Sequence, residues 1–318
     1  MDDKKQYRQE STVQYIVPLA PTASGTIQEA VQAALDSVTS PNTRRAYKRA
    51  MLNFLAWGHA NQRGHFNAPT VRRYAADQLQ AGRGVSAINQ ELSAIRLLAA
   101  MAAEVKVIKH EDARAIEGVK AFKKQGSKLG NWLTAEQATQ LLQTPDTSTL
   151  KGLRDRAILA VLLGCGLRRH EAAALTVSHV QMRAGRWVIV NLVGKGNKTR
   201  SVPMPGWAKA AVQAWTQGAG IADGYLFRPL NKAGRLAGEK VSVQTIWNVV
   251  MEHAGTLGLE VAPHDLRRTF ARLALDGGAE MKQIQYSLGH ASVQTTEIYV
   301  GNVQDLEDAP GDRLGIAI

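Results

Sequence analysis

A polar, basic segment with two glycines divides this chain into two stretches of regular apolar patterning. The segment covers residues 123–131 and reads Lys-Lys-Gln-Gly-Ser-Lys-Leu-Gly-Asn. This composition is typical of a linker, because it offers little apolar surface to bury and its glycines leave the backbone free. We therefore predict a first domain over residues 25–122 and a second over 132–299. A flexible lead (1–24) precedes them and a tail (300–318) follows.

The first domain carries helical periodicity only. Helical patterning begins near Thr26, and a second helix is predicted to start at Pro41. A third helix is predicted over Pro69–Gln80, and Ser86 is a plausible N-cap for a fourth that continues to Met101. The pattern predicts a compact, all-helical domain with a basic outer face on its second helix.

The second domain mixes helices with one predicted hairpin. Residues 134–137 (Thr-Ala-Glu-Gln) fit a capping box, and Leu153–Leu163 is a strongly apolar helix that Gly164 and Gly166 are expected to end. Strands are predicted at 187–190 and 199–203, around a Gly-Lys-Gly turn. Further helices are predicted around 207–217, 242–254, 266–275, 281–288 and 293–299. The predicted fold class is mainly α with a small antiparallel β-sheet.

The charge of the chain favours an anionic partner. The formal net charge is +12, and residues 1–128 carry 19 Lys/Arg against 11 Asp/Glu, a net of +8, which leaves +4 for the rest. A basic excess of this size is typical of nucleic-acid-binding proteins, although an ordinary solvated surface is an equal explanation of charge alone.

Cysteine content and apolar runs argue against a disulfide-bonded, zinc-binding, secreted or membrane-spanning protein. The single cysteine, Cys165, lies in an apolar run and predicts a buried thiol without a disulfide. No Cys/His cluster has zinc-ligand spacing, so we predict no metal and no cofactor. The N-terminus lacks the apolar core of a signal peptide, and the longest apolar run, 157–165, is too short to span a bilayer. We expect a cytoplasmic protein without a membrane partner.

Two arginines, two histidines and a tyrosine follow one another in the second domain. Arg168 follows a Gly-Leu pair, His264 and Arg267 stand three residues apart, and Tyr299 follows His290 by nine residues. Each motif alone is weak, because such residues more often lie on the surface or in the core. Together they supply guanidinium groups that can neutralise a phosphodiester under attack by a phenol, so that no metal is required.

The order and spacing of these motifs resemble the catalytic domain of the tyrosine recombinases, the phage-integrase and Xer-like family. The matching motifs lie at 166–171, 194–203, 264–271, 288–290 and Tyr299. Segments around 42–47 and 86–92 are similar to the helical core-binding domain of the same family. The resemblance implies a helical DNA clamp followed by an α/β tyrosine recombinase catalytic domain.

The resemblance also implies how the chemistry is divided. Tyr299 would be the nucleophile that forms a 3′-phosphotyrosyl bond and releases a 5′-hydroxyl. His264 would act as general base for the phenol, whose ordinary pKa is about 10. Lys195, near the hairpin tip, would protonate the leaving 5′-oxygen.

The scissile phosphate would be held by the two arginines and the second histidine of the motif set. Arg168 and Arg267 would bind its non-bridging oxygens, and His290 would donate a further hydrogen bond. Glu171 matches a carboxylate that supports the site from behind. Exchange of a phosphodiester for a phosphotyrosine conserves the bond energy, so no ATP is expected.

Other basic and polar residues are candidates for DNA contact, with solvated charges as the alternative. These candidates are Arg44, Arg45, Lys48, Arg49, Arg96, Asn197, Lys198, Arg200 and Arg268.

The resemblance implies double-stranded DNA with inverted-repeat core sites as substrate, and a homotetramer as the active assembly. The tail is acidic at Asp305, Glu307, Asp308 and Asp312 and apolar at Leu314–Ile318. We predict that it docks on a neighbouring protomer; packing on its own domain or fraying is the alternative.

The predicted function is site-specific DNA recombination or integration. A type IB topoisomerase shares the catalytic logic, and a non-catalytic DNA-binding regulator could share the fold. The core-binding signature favours the recombinase, and the complete catalytic set argues against the regulator.

Overall fold

The computed structural model describes residues 25–123, 131–194 and 199–300. The predicted lead, most of the predicted linker, the hairpin tip at 195–198 and the tail after residue 300 lie outside these ranges. The chain forms two compact units, Met1–Ser127 and Lys128–Ile318.

The first unit is helical throughout its described part. Its helices are α1 (Ile27–Asp36), α2 (Pro41–Ala60), α3 (Ala68–Gln80), α4 (Val85–Glu104) and α5 (His110–Glu117). Polar caps set most of the starts, because a side-chain oxygen satisfies a free N–H of the first turn. Thr26 forms a capping box with Glu29, and Ser40 and Asn67 cap α2 and α3.

Helix α4 packs at the centre of this unit. Its residues Ile88, Leu92, Ile95 and Leu98 are fully buried, in a core that includes Phe54. The prediction that Ser86 caps α4 was wrong. The N-cap is Gly84, whose carbonyl already accepts hydrogen bonds from Ala87 and Ile88, so that Ser86 lies inside the first turn.

The second unit contains eight further α-helices and three strands within its described residues. They are α6 (Ala135–Gln143), α7 (Leu150–Cys165), α8 (Arg169–Ala174), β1 (Val180–Arg183), β2 (Arg186–Val193), β3 (Thr199–Pro203), α9 (Gly206–Gly218), α10 (Val243–Thr256), α11 (Pro263–Asp276), α12 (Met281–Leu288) and α13 (Val293–Val300). The predicted fold class is confirmed, as is the capping box at Thr134.

The strands form one antiparallel sheet in the order β1-β2-β3. Ile189 pairs with Val202 and Leu192 with Arg200, with an irregularity between the two pairs that leaves Asn191 at φ 56°. The sheet therefore carries the start of β3, and Arg200 with it, toward the helices that follow.

Helix α7 forms the core of the second unit, with most of its residues buried. Gly164 was predicted to help end this helix, but it lies inside it, packed against the Trp207 ring. The helix ends at Gly166, which has φ 58° and lies so close to Phe270 that a Cβ would be 2.6 Å from its ring. Both features require glycine, and the chain turns there into Arg168.

Cys165 is fully buried in this core, and burial raises the pKa of its thiol to about 12. The predicted buried thiol is confirmed. Across the described ranges, no helix combines the length and the apolar character needed to cross a membrane.

Candidate active site

Arg267 joins three separate parts of the second unit. Helix α11 was predicted to begin at Leu266, but Pro263 occupies its first turn, so His264 and Arg267 lie one turn apart at its start. Arg267 Nη1 donates to the Gly166 carbonyl at 2.5 Å, and Nη2 donates to the Leu288 carbonyl. The side chain therefore holds the end of α7 and the end of α12 against α11.

The Arg267 guanidinium is buried and only partly satisfied. Its side chain is 1% exposed, and within the described residues its Nε has no hydrogen-bond partner. Burial and the nearby charge of Arg168 lower the pKa of Arg267 to about 10, which leaves it protonated at neutral pH. A buried cation with a free N–H is well suited to an anionic ligand.

Glu171 lies at the centre of a cluster of arginines. Its carboxylate accepts two hydrogen bonds from Arg200 (Nη1–Oε1 and Nη2–Oε2, both 2.8 Å) and one from Arg168 (Nη1–Oε1, 3.0 Å). Arg267 Nη1 lies 3.9 Å from Oε2. Burial alone would raise the pKa of Glu171, but the Arg200 fork, the Arg168 backbone N–H and the surrounding charges lower it to about 2.

Arg200 links the sheet to α12. Besides its fork on Glu171, its Nε donates to the Ser287 carbonyl at 2.8 Å. Its side chain is 10% exposed, so the structure places this predicted DNA contact inside the arginine cluster instead. Its stem passes so close to Gly289 (φ 62°) that a Cβ there would lie 2.8 Å from Arg200 Cδ.

Tyr299 brings its phenol to both histidines. Its hydroxyl lies 3.2 Å from Nδ1 and 3.3 Å from Nε2 of His264, and its ring meets the His264 and His290 rings edge-on, with centroids 5.2 and 5.1 Å apart. The Arg268 guanidinium lies 5.5 Å from the Tyr299 ring centroid. Burial raises the pKa of Tyr299 above 10, while Arg267 and Arg268 oppose that rise.

Both histidines favour the neutral form. Desolvation and the charges of Arg268 and Arg267 lower the pKa of His264. Desolvation, Arg267 and Arg168 lower the pKa of His290 to about 4. At neutral pH each ring therefore carries one N–H and one lone pair, so it can donate one hydrogen bond and accept one.

The second unit brings six of the predicted site residues together: Arg168, Glu171, His264, Arg267, His290 and Tyr299. Arg200 and Arg268, predicted as DNA contacts, also lie in this site. Lys195, Asn197 and Lys198 lie outside the described residues.

The remaining predicted DNA contacts lie in the first unit. Arg44, Arg45, Lys48 and Arg49 occupy exposed positions on α2. Arg96 is half-buried and donates to the Val119 carbonyl, which does not favour the DNA contact predicted for it.

Sequence reasoning missed Thr296, which is fully buried and hydrogen-bonded to His290 (Oγ1 to Nδ1, 3.0 Å). Its position one helical turn before Tyr299 was the available signal. The carbonyls of Gly166 and Leu288, which accept hydrogen bonds from Arg267, could not be recognised from the sequence, because every residue type has a backbone carbonyl. No group of three or more His, Cys, Asp or Glu residues within the described ranges is arranged to hold a metal ion.

Comparison with known proteins points to one family. Residues 131–305, more than half of the chain, match the phage integrase family. The tyrosine recombinase XerC of Pelobacter propionicus is 34% identical over 269 residues, which cover 82% of this chain and 84% of that protein. The tyrosine recombinase XerD of Pseudomonas aeruginosa is 29% identical, with 86% and 92% covered.

A solved structure shares the fold. The XerH site-specific recombinase bound to palindromic difH substrate, in a post-cleavage complex, superposes with a TM-score of 0.65 at 18% identity, covering 83% of this chain and 77% of that one.

Proposed function

This chain belongs to the phage integrase family of tyrosine recombinases, and on that premise we propose that it is a site-specific DNA recombinase that cuts and rejoins strands through a 3′-phosphotyrosyl intermediate. The observation that carries the proposal is the Tyr299 hydroxyl, 3.2 Å from a His264 ring nitrogen and beside the arginine cluster. The relatives are recombinases, which does not favour the topoisomerase or regulator readings.

In the first step, the Tyr299 oxygen attacks the scissile phosphorus. The new bond joins that oxygen to phosphorus, and the bond from phosphorus to the 5′-oxygen breaks. His264, neutral because its pKa is lowered, receives the phenol proton. Lys195 gives a proton to the departing 5′-oxygen, so that a 5′-hydroxyl leaves. Attack by the 5′-hydroxyl of a second duplex reverses these steps and rejoins the strand.

Arg168 and Arg267 bind the non-bridging oxygens as negative charge builds up on them. The Arg267 Nε–H supports this role, because it is a buried donor with no partner among the described residues, and a phosphate oxygen would satisfy it. His290 donates a further hydrogen bond. Glu171 orients Arg168 and offsets part of the cluster's charge in the absence of substrate.

We assign DNA clamping to residues 25–122 and catalysis to residues 132–299. The net charge of +8 over residues 1–128 and the exposed cations of α2 support the clamp. We further propose a homotetramer that acts in the cytoplasm on inverted-repeat core sites; the palindromic substrate of the XerH neighbour supports the repeat. The biological outcome is integration, movement of a mobile element, resolution or inversion.

A nicked suicide substrate tests the proposal. Duplexes selected by the protein from a random pool are rebuilt with a nick beside the cleavage point, so that a short fragment diffuses away and traps the intermediate. Wild-type protein should form a covalent adduct that migrates slowly in a denaturing gel.

Tyr299→Phe should form no adduct, because only the hydroxyl can be the nucleophile. Tyr286→Phe is the matched control, since Tyr286 is 54% exposed on α12, and this variant should react like wild type. An adduct that persists in Tyr299→Phe, or one that forms equally on any duplex, would contradict the proposal.

A further inference from the structure

The Thr296 hydroxyl forms a hydrogen bond with the ring of His290. Thr296 Oγ1 lies 3.0 Å from His290 Nδ1, and Thr296 is 0% exposed. Both residues are near the proposed nucleophile: Thr296 precedes Tyr299 by one turn on α13, and the His290 ring meets the Tyr299 ring at 5.1 Å.

The direction of this hydrogen bond can be argued from the surroundings. Within the part of the chain that the structure describes, His290 Nδ1 is the partner of the Thr296 hydroxyl. If Nδ1 carried the proton and donated it, the buried hydroxyl hydrogen would be left without an acceptor, which is costly. If the hydroxyl donates to Nδ1, the buried hydroxyl hydrogen has an acceptor. The second arrangement is therefore favoured.

The ring proton must then sit on the opposite nitrogen. A neutral imidazole has one N–H, and a Nδ1 that accepts a hydrogen bond leaves the proton on Nε2. Partial burial and the charges of Arg267 and Arg168 lower the pKa of His290 and hold the ring in the neutral form, so the choice between its two tautomers matters at neutral pH. Only the Nε2–H tautomer gives the site a donor from the ring edge that Thr296 does not occupy.

We propose that Thr296 is a positioning residue that donates its hydroxyl hydrogen to His290 Nδ1 and so fixes the proton of His290 on Nε2, ready to donate to the scissile phosphate. The proposal rests on the recombinase function for its last clause, but its first clause concerns the free protein. The backbone of His290 is also held in place. Its N–H donates to the Gln285 carbonyl, and the His290 carbonyl accepts a hydrogen bond from Gln285 Nε2.

The tautomer can be measured without DNA. Protein labelled with ¹⁵N-histidine is examined at pH 7 by long-range ¹H–¹⁵N correlation, with His290 assigned from the spectrum of His290→Gln. Wild type should show the Nε2–H form of His290. Thr296→Val, which keeps the shape but lacks the hydroxyl, should show a mixture, and Thr296→Ser should restore the wild-type form. Thr295→Val is the matched control, because Thr295 is the exposed neighbour on the same helix.

The suicide-substrate assay tests the consequence. Thr296→Val should cleave about 2–10-fold more slowly, as expected when one neutral hydrogen bond that orients a site residue is lost. Thr296→Ser and Thr295→Val should stay close to the wild-type rate. An Nδ1–H tautomer in wild type would overturn the proposal even if Thr296→Val does not fold, and so would a Thr296→Val protein with wild-type tautomer and rate. If wild type forms no adduct at all, the recombinase function fails, while the spectrum still decides the role of Thr296.

Discussion

Burial and the surrounding arginines together set the protonation states of single residues in this site. Four guanidinium groups, from Arg168, Arg200, Arg267 and Arg268, lie close to the His264 and His290 rings, the Tyr299 phenol and the Glu171 carboxylate. Their charges keep Glu171 ionised against the effect of burial, and burial together with these charges lowers the pKa of each histidine. Glu171 is the counter-charge that allows so many cations to lie together before a phosphate enters.

The first prediction concerns the pH dependence of cleavage. A base must be neutral to accept the phenol proton, and the pKa of His264 is lowered from its ordinary value of 6.5. The neutral form therefore persists as pH falls through 6.5, and the rate should decline only below that value. Single-turnover cleavage between pH 5 and pH 8 measures the midpoint of the decline.

The variant Arg268→Gln tests whether His264 is the group that sets this pH profile. The Arg268 charge is the largest charge effect that lowers the pKa of His264, so its removal should move the midpoint toward higher pH. A wild-type midpoint at or above 6.5, or a midpoint that does not move in Arg268→Gln, would contradict His264 as the base.

At the scale of elements, the site is built where helices end. The end of α7, the first turn of α11 and the end of α12 meet at Arg267, and Arg200 of β3 reaches α12 through the Ser287 carbonyl. Gly289 lies between α12 and His290, with φ 62°. A small change in this turn therefore reaches His290 directly.

Gly289→Ala should be destabilising for two separable reasons. Alanine at positive φ costs about 1–2 kcal/mol, and the new Cβ would meet Arg200 Cδ at 2.8 Å, which adds about 1–3 kcal/mol of crowding. Gly278→Ala is the matched control, because Gly278 has φ 81° and open space around it.

Urea unfolding should show a larger loss of unfolding free energy for Gly289→Ala than for Gly278→Ala, and only the former should slow cleavage. Equal losses in the two variants would mean that the contact with Arg200 is unimportant.

The hairpin between β2 and β3 gives a prediction about Lys195. A general acid is needed because an alkoxide is a poor leaving group, whereas a thiolate leaves without a proton. Lys195→Met should therefore cleave ordinary DNA at least about 100-fold more slowly. On a substrate with sulfur in place of the 5′-bridging oxygen, it should approach the wild-type rate.

Lys198→Met serves as the comparison, because a residue that only binds DNA should affect both substrates alike. A Lys195→Met protein that is equally slow on the sulfur substrate would remove Lys195 from the role of general acid.

The elements that the sequence analysis did not predict are short. Strand β1 has four residues (Val-Gln-Met-Arg), too few for their apolar–polar alternation to stand out, α8 has six residues that begin directly after Arg168, and α5 has eight. Long helices, such as the strongly apolar α7 and the amphipathic α9, were predicted within a few residues of their bounds. The site residues followed from the resemblance of their motifs to those of the tyrosine recombinases, but the contacts that orient them did not. Backbone carbonyls such as that of Leu288 leave no trace in residue type, and Thr296 has no motif of its own.

At the scale of the whole molecule, positive charge and catalytic groups are concentrated in different parts of the chain. Residues 1–128 hold two thirds of the net charge, +8 of +12, and the proposed catalytic groups all follow residue 167. Under the proposed function, the basic first unit would give DNA affinity that falls with salt, and the second unit would supply the chemistry. Neither task explains the acidic residues after 300, which would be repelled by DNA.

The last prediction follows from that acidic, apolar-ended tail. Its negative charges disfavour a place on the phosphates, and its final residues, Leu-Gly-Ile-Ala-Ile, need an apolar partner surface. If that surface belongs to a neighbouring protomer, truncation at Asp305 should leave binding of one protomer to a single half-site intact and weaken tetramer assembly on paired sites. Native gel shifts with one-site and two-site duplexes separate the two steps.

The double substitution Ile316→Ser and Ile318→Ser should reproduce the defect with the acidic residues still present, because the apolar end makes the contact. Asp308→Asn should assemble normally, and assembly that survives the truncation unchanged would mean that the tail packs on its own domain or not at all.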